Sequence, residues 1–448
     1  MNGVLSVLLD IFRQPSIIVA LISLVGLAVQ RKKATDIMKG TIRTMVGFLV
    51  LAAGASVVSG ALDPFGSMFQ HAFNVQGVVP NNEAIVGTVL VKYGSEAALI
   101  FFFGMIVNIL LSMTSRFKYI YLSGHVAFYM ATMVAVILEV AGMSTWGVIL
   151  WGSIAQGLIV TISPALVQPF MKDAAGTNDV ALGHTGGAGI ALGGLVARLT
   201  RSKKHPSKST EDIKFPAGLG FLRDTTVIIA LSAGSSYIES ELSDGQNFNV
   251  FAILQAATFS AGVFVILAGV RVVLGEIVPA FKGISEKLVK NSKPALDVPM
   301  IFTFAPNAVL IGFISSFVGG VVGMGIMALA GSTIIIPGIV AHFMTGGATG
   351  VIGNGQGGVR GAVIGSFVNG LAITFLPLFL LPVLGDTGMA NATYSDADYG
   401  VAGILLGQFG KGGQIGLIIG IIASVVVFYA ASFAMSAREK KKAAVEAK

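Results

Sequence analysis

Residues 176–195 read GTNDVALGHTGGAGIALGGL, and the rest of the chain is best read outward from them. Asp179 and His184 sit in a glycine-rich, otherwise apolar run that leads to Arg198 and the most basic loop of the chain. The run is too short and too broken for an ordinary span, which takes about 20 apolar residues. Non-helical backbone is tolerated at membrane depth only where protein buries it or where it lines a watery cavity. The stretch therefore reads as part of a substrate site in a membrane carrier.

The composition agrees. Hydrophobic residues are 54% of the chain and charged residues 11%, against roughly 25% charged in a soluble domain. With repeated apolar windows of about 20 residues, the 448 residues read as one all-α polytopic membrane domain, not as a soluble enzyme. The 58 glycines let transmembrane helices approach closely and supply breaks in them. There is no cysteine, hence no disulfide framework, thiolate nucleophile or cysteine metal site. The net charge of +7 sits in short loops beside spans, the pattern of Lys and Arg held in the cytoplasm. It is not a nucleic-acid signal. No cleavable signal peptide is expected, because the first apolar run starts near Ile17, lacks a small-residue cleavage site and runs into Arg31, Lys32 and Lys33.

Taken in order, the spans fall at about 17–30, 41–61, 97–113, 125–140 and 148–170, with a weakly charged outer segment over 63–92. The basic turns after the first and third spans place the N-terminus outside. The glycine-rich stretch and the loop 198–223 follow. That loop is cytoplasmic by charge, and reads either as a docking surface for a soluble partner or as a plain solvated connector. Further spans are expected at 225–238 and 251–274, with an acidic outer turn between them (Glu239, Glu241, Asp244) and an amphipathic interfacial helix at 276–293 after them. The run 295–310, a glycine-rich span to about Leu329, an apolar run to Met344, and spans at 363–384 and 405–433 complete the chain. The basic tail 436–448 is cytoplasmic. Length arithmetic gives about ten or eleven spans.

Each half has a polar break near a span start, His125 in the first and Asp297 and Asn307 in the second. Each also has a glycine-rich interruption, at 176–195 and 345–362. Corresponding broken segments in two halves point to a transporter's binding site near the midplane.

Ionisable groups inside spans are costly and usually functional. His184, flanked by glycine, and Asp297 are candidate ligand contacts. Asp297 has helix capping ahead of Pro299 as its plainer role. His125 is either a ligand contact or an interfacial histidine on a backbone carbonyl. Asn307 either meets substrate or satisfies a carbonyl freed by Pro306. Asn82 and Glu83 sit where outer sequence becomes apolar again, with capping as the alternative. Glu139 and His342 read as interfacial. There is no Walker loop, HExxH or GxSxG motif, and the GQGG and GGVRG clusters have no preceding strand. No cofactor or metal is implied. A channel would need a continuous filter-lining repeat, whereas the polar residues here are scattered singly.

The stretches KGTIRTMVGFLVLAAG (39–54), LSGHVAFY (122–129), ALGH (181–184), IVPAFKGIS (277–285), LDVPMIFTFAPNAV (296–309) and IIIPG (334–338) together resemble the membrane subunit, EIIC, of the ascorbate-specific phosphotransferase system (PTS), over nearly the whole chain. The resemblance implies a homodimer with a sugar-holding core domain and a dimerisation domain, in which the core moves to alternate access. It further implies that L-ascorbate is phosphorylated during uptake by a phosphocysteine on a separate IIB protein, itself charged by IIA. The ligand-contacting positions it implies fall on His125, His184 and Asp297, which are retained. They also fall on Tyr129 and Thr185, where the family has Gln, on Asn82 and Glu83, where it has Thr-Tyr, and on Ala55, where it has Ser, with Ser56 beside it. The polar frame is kept and its amide ring is changed, so a related sugar, sugar acid or polyol fits the same frame. An ion-coupled carrier without phosphorylation is the rival of a different class.

Overall fold

The computed structural model describes residues 15–73, 77–202, 204–213, parts of 250–272, 288–385 and 392–446. The expected spans at 225–238 and much of 251–274, the acidic outer turn and most of the expected interfacial helix lie outside the described residues.

Helices dominate. The longer ones among the described residues are α1 (Pro15–Val29), α2 (Ala34–Phe73), α3 (Asn82–Thr114), α4 (Gly124–Val140), α5 (Thr145–Ala175), α6 (Gly187–Leu199), α7 (Pro306–Leu329), α8 (Gly347–Leu384), α9 (Ala397–Gly410) and α10 (Gly413–Glu446). Among the described residues, five helical runs are long and apolar enough to cross a membrane: Lys92–Thr114, Thr145–Ala175, Pro306–Leu329, Ile339–Leu384 and Gly413–Arg438. Gly124–Val140 and Gly187–Leu199 are shorter apolar helices. The chain is thus an all-α polytopic membrane protein. The outer segment expected over 63–92 is instead largely helical, because α2 runs on to Phe73 and α3 begins at Asn82.

Helix α4 explains where the first apolar core lies. Every residue from Val126 to Leu138 is buried, and a helix apolar all round belongs inside a bundle. It packs against α3 and α5, with Phe101 edge-on to Phe128 at 5.8 Å. A second core gathers the C-terminal part of α5, Ile190 of α6, Phe313 of α7 and Val351 of α8. There α7 and α8 meet glycine to glycine. A Cβ added at Gly312 would lie 2.7 Å from the Cα of Gly350, the close approach that small residues permit in membranes.

Among the described residues there are six very short strands. They are β1 (Gly77–Pro80), β2 (Tyr119–Tyr121), β3 (Ala181–Leu182), β4 (Lys293–Leu296), β5 (Ile334–Ile335) and β6 (Ala392–Thr393). They form two three-stranded parallel sheets, ordered β5-β1-β6 and β2-β4-β3. The strand starts Gly77, Tyr119 and Ala181 are spaced much as Lys293, Ile334 and Ala392. Each sheet therefore has the first strand of one half at its centre, flanked by the second and third strands of the other half. This interlocked exchange pairs β3 with β6 as equivalents. By that equivalence residues 176–195 correspond to β6 and the start of α9 and not, as the glycine content suggests, to 345–362, against which they pack through Gly186 and Gly193.

The two glycine-rich segments break in different ways. Gly176 caps α5 in the left-handed region (φ +67°), and β3 and then α6 follow, so 176–195 is neither a hairpin nor a broken helix. Residues 345–362 are mostly helical. A π turn at His342–Gly346 leads into α8, which is interrupted only at Gly357 and Gly358 (φ −146° and +63°).

Candidate functional site

The sheet β2-β4-β3 delivers the expected frame. Asp297 directly follows the central strand β4, His125 lies four residues beyond β2, and His184 lies two beyond β3. Gly183 makes the approach possible, since a Cβ there would come 2.6 Å from the Ala295 carbonyl oxygen. Its N–H donates to the Leu296 carbonyl at 2.7 Å.

Each oxygen of the Asp297 carboxylate faces one histidine. His125 Nε2 is 3.5 Å from Oδ2, and His184 Nε2 is 4.0 Å from Oδ1. Asp297 is 3% exposed and His184 6%. The backbone N–H of Gly186 donates to His184 Nδ1 at 3.0 Å. That nitrogen is therefore bare, and the ring proton sits on Nε2, toward the carboxylate. Oδ1 of Asp297 also accepts the Val298 N–H at 2.8 Å. The capping role weighed for Asp297 is not what it performs: the short helix Pro299–Phe302 has Val298 at its cap position and no side-chain cap bond, while Asp297 faces the two imidazoles. Tyr129 lies near His125, its ring edge-on at 6.0 Å between centroids.

The other sheet brings a second polar group to the same place. Asn82 follows β1, and Asp396 lies three residues beyond β6. Thr185 Oγ1 donates to Asp396 Oδ2 at 2.6 Å, and Asn82 Nδ2 donates to the same oxygen at 3.3 Å. Ser395 Oγ donates to Asp396 Oδ1 at 3.0 Å, and the Ser395 N–H donates to Asn82 Oδ1 at 2.9 Å. Asn82 is thus a cross-link between distant segments, not a helix cap. Asp398 Oδ1 accepts the Ala188 N–H at 2.6 Å at the start of α6. Asp396 and Asp398 fall in what the sequence reads as an outer loop. Their one signal is two acids bracketed by tyrosines, TYSDADY, just ahead of an apolar helix.

The remaining expected positions divide. Glu83 is in α3, and Ala55 and Ser56 are in α2; their side chains lie outside the described residues. Asp179 is exposed and bonded to Thr177 at 2.7 Å, away from Asp297. His342 is enclosed by protein, 1% exposed, with Nδ1 2.9 Å from Ser316 Oγ. Asn307 does not satisfy a proline-freed carbonyl. Its amide donates to the carbonyls of Thr210 and Ile213 at 3.1 and 3.4 Å.

Those bonds belong to the basic loop, whose described part is anchored. Val359 N–H donates to the Lys208 carbonyl at 2.8 Å beside the break in α8, and Arg360 N–H donates to Ser207 Oγ at 3.1 Å. Arg198 donates to Gln356 Oε1 at 2.8 Å and to the Pro169 carbonyl at 3.0 Å. The GQGG cluster therefore clamps the loop. Glu211 reaches further and caps α7, accepting the N–H groups of Asn307 and Ala308 at 3.0 and 3.1 Å. Among the described residues no group of three or more His, Cys, Asp or Glu is placed to hold a metal ion.

Comparison with known proteins follows this geometry. The EIIC-GAT family, described as the PTS system sugar-specific permease component, matches residues 10–398. A protein of Mycoplasma pneumoniae named ascorbate-specific PTS system EIIC component is 27% identical over 456 aligned positions, covering 86% of this chain and 68% of that protein.

Proposed function

This chain belongs to the family of phosphotransferase-system sugar-specific permease components, and on that footing we propose that it carries L-ascorbate or a close relative across the bacterial cytoplasmic membrane. Access alternates as the part holding the substrate moves against a dimerisation part, within a homodimer. The N-terminus lies outside and the basic tail 436–448 in the cytoplasm. A IIB phosphocysteine, charged by IIA, gives its phosphoryl group to a substrate hydroxyl. The S–P bond breaks, an O–P bond forms, and thiolate is returned. There is no cysteine in the 448 residues, so the phosphocysteine lies outside them.

One observation carries the substrate reading: two imidazoles, His184 buried and His125 half-buried, set on the two oxygens of Asp297. Imidazole N–H groups donate and a carboxylate accepts. A compact, hydroxyl-rich ring carrying an enolate presents the complementary pattern. The Mycoplasma relative's name supports L-ascorbate as the first candidate.

A second reading, a neutral polyol, is favoured by Asp396 and Asp398, which add two buried carboxylates (4% and 5% exposed). Like charges 4 Å apart repel by about 4 kcal/mol at the effective dielectric of a protein site. A neutral ligand avoids that term.

The deciding experiment is uptake of labelled L-ascorbate and labelled xylitol by cells expressing the chain, with and without IIA and IIB. Saturable, partner-dependent accumulation of a phosphorylated product is the expected result. Uptake indifferent to the partners would replace the mechanism with an ion-coupled carrier. Absence of saturable uptake of either compound would remove the carrier reading for this substrate class.

A further inference from the structure

Asp396 joins the two sheets through one carboxylate. Thr185 comes from the end of β3 in one sheet, and Asn82 from the end of β1 in the other, and both donate to Oδ2. Ser395 donates to Oδ1. A carboxylate offers about four lone-pair directions, so these three donors leave one open on Oδ1. All three donors are neutral. The Thr185 and Ser395 hydroxyls also keep lone pairs of their own, so the node is rich in acceptors.

The node is continuous with the histidine frame. Thr185 is the next residue after His184, and His125 lies within electrostatic reach of both Asp297 and Asp396. The wholly buried Tyr121 lies within reach of Asp297, Asp396 and Asp398.

Two more buried hydroxyls lie close in sequence to the frame, one beyond β2 and one on β6. Ser123 stands two residues before His125, and Thr393 stands on β6 three residues before Asp396. They are 1% and 0% exposed, and neither hydroxyl has a hydrogen-bond partner among the described residues. Buried hydroxyls are nearly always paired. Ser123 and Thr393, near His125 and Asp396 in the chain, thus hold two hydroxyls free to bond a hydroxylated ligand.

We infer that Asp396, positioned by Thr185 and Asn82, is a second hydroxyl-accepting arm of the substrate site and sets its selectivity toward neutral polyhydroxylated ligands over anionic ones. The inference rests on the permease reading, deepens its neutral-polyol alternative and assigns the residue that sets it. Asp297 and the histidines grip one end of the ligand, and Asp396 accepts hydrogens from hydroxyls at the other. A fixed negative charge at 396 disfavours an anion by the same interaction that favours a hydroxyl donor.

The test is equilibrium binding of xylitol and L-ascorbate to the purified full chain, for wild type, Asp396→Asn, Thr185→Val and Asp297→Asn, with thermal unfolding recorded for each. Asp396→Asn is expected to weaken xylitol at least tenfold and to raise the ascorbate-to-xylitol affinity ratio at least tenfold. Thr185→Val, which keeps the charge but frees its orientation, is expected to weaken xylitol severalfold with a smaller change in the ratio. A merely structural tie would lower Tm and both affinities together, leaving the ratio where it was; that outcome overturns the inference. If Asp297→Asn abolishes binding while Asp396→Asn leaves both affinities unchanged, the permease reading stands and the inference about Asp396 fails. If wild type binds neither compound, the substrate reading falls and the inference with it.

Discussion

Removal of the Glu211 carboxylate is expected to loosen the start of α7 by an amount the hydrogen-bond accounting sets. A helix leaves its first backbone N–H groups without intrahelical partners. At α7 the first position is Pro306, which has no N–H. Val309 N–H already reaches the Ala305 carbonyl at 3.2 Å. Only Asn307 and Ala308 remain, and Glu211 serves both. A lost side-chain cap costs about 0.5–2 kcal/mol, and a lost negative charge at a helix N-terminus about 0.3–1 kcal/mol. Glu211 is exposed, so water takes over part of its role, and the full desolvation penalty of a buried orphan does not apply. Glu211→Ala should therefore cost about 1–3 kcal/mol locally, or roughly 5- to 140-fold in amide protection. Glu211→Gln keeps an acceptor and loses only the charge, for about 0.3–1 kcal/mol, or roughly two- to fivefold. Hydrogen exchange read by mass spectrometry on peptides spanning 304–312 measures both. Protection that is unchanged in Glu211→Ala, or equal in the two variants, would refute the assignment of Glu211 as the cap that ties the basic loop to the segment following Asp297.

Three other outcomes are expected. His184→Ala should abolish substrate uptake and weaken binding at least about tenfold, as loss of a hydrogen bond to a charged group does, while the elution profile stays that of the wild type; normal uptake would remove His184 from the site. Gly350→Ala should destabilise by about 1–3 kcal/mol, because its Cβ would meet the Ala308 carbonyl and lie 2.8 Å from the Cα of Gly312, backbone that has no rotamer to yield. Gly325→Ala, with nothing within 4 Å of the added carbon, should instead gain about 0.5–1 kcal/mol, and thermal unfolding of the pair checks the packing. Arg198→Lys should cost about 0.5–1.5 kcal/mol, reduced by its exposure, since a single ammonium does not reproduce the forked bonds to Gln356 and Pro169; faster limited proteolysis within 198–213 is the readout.

Hydropathy and composition are local properties, and what depends on them was legible from the residues. The apolar spans, the membrane class and the isolation of His125, His184 and Asp297 in apolar surroundings follow from the cost of placing polar groups in hydrocarbon. The glycine run at 176–195 marked irregular backbone for the same reason. The convergence of the two histidines on the Asp297 carboxylate depends on β2, β3 and β4, strands of two to four residues. Such strands are too short to show an alternating pattern, and their partners lie far away in sequence. The same holds for Asp396 and Asp398. In a linear reading they are loop acids, and only the pairing of β6 beside β1 brings Asp396 to Asn82 and Thr185. The basic loop read as solvated because its charges are visible in sequence, whereas the carbonyl and amide groups that anchor it to α8 and α7 are the same in every residue. Tertiary structure decided these points because a backbone hydrogen bond carries no sequence label, and a buried carboxylate acquires its role from the donors that the fold brings to it.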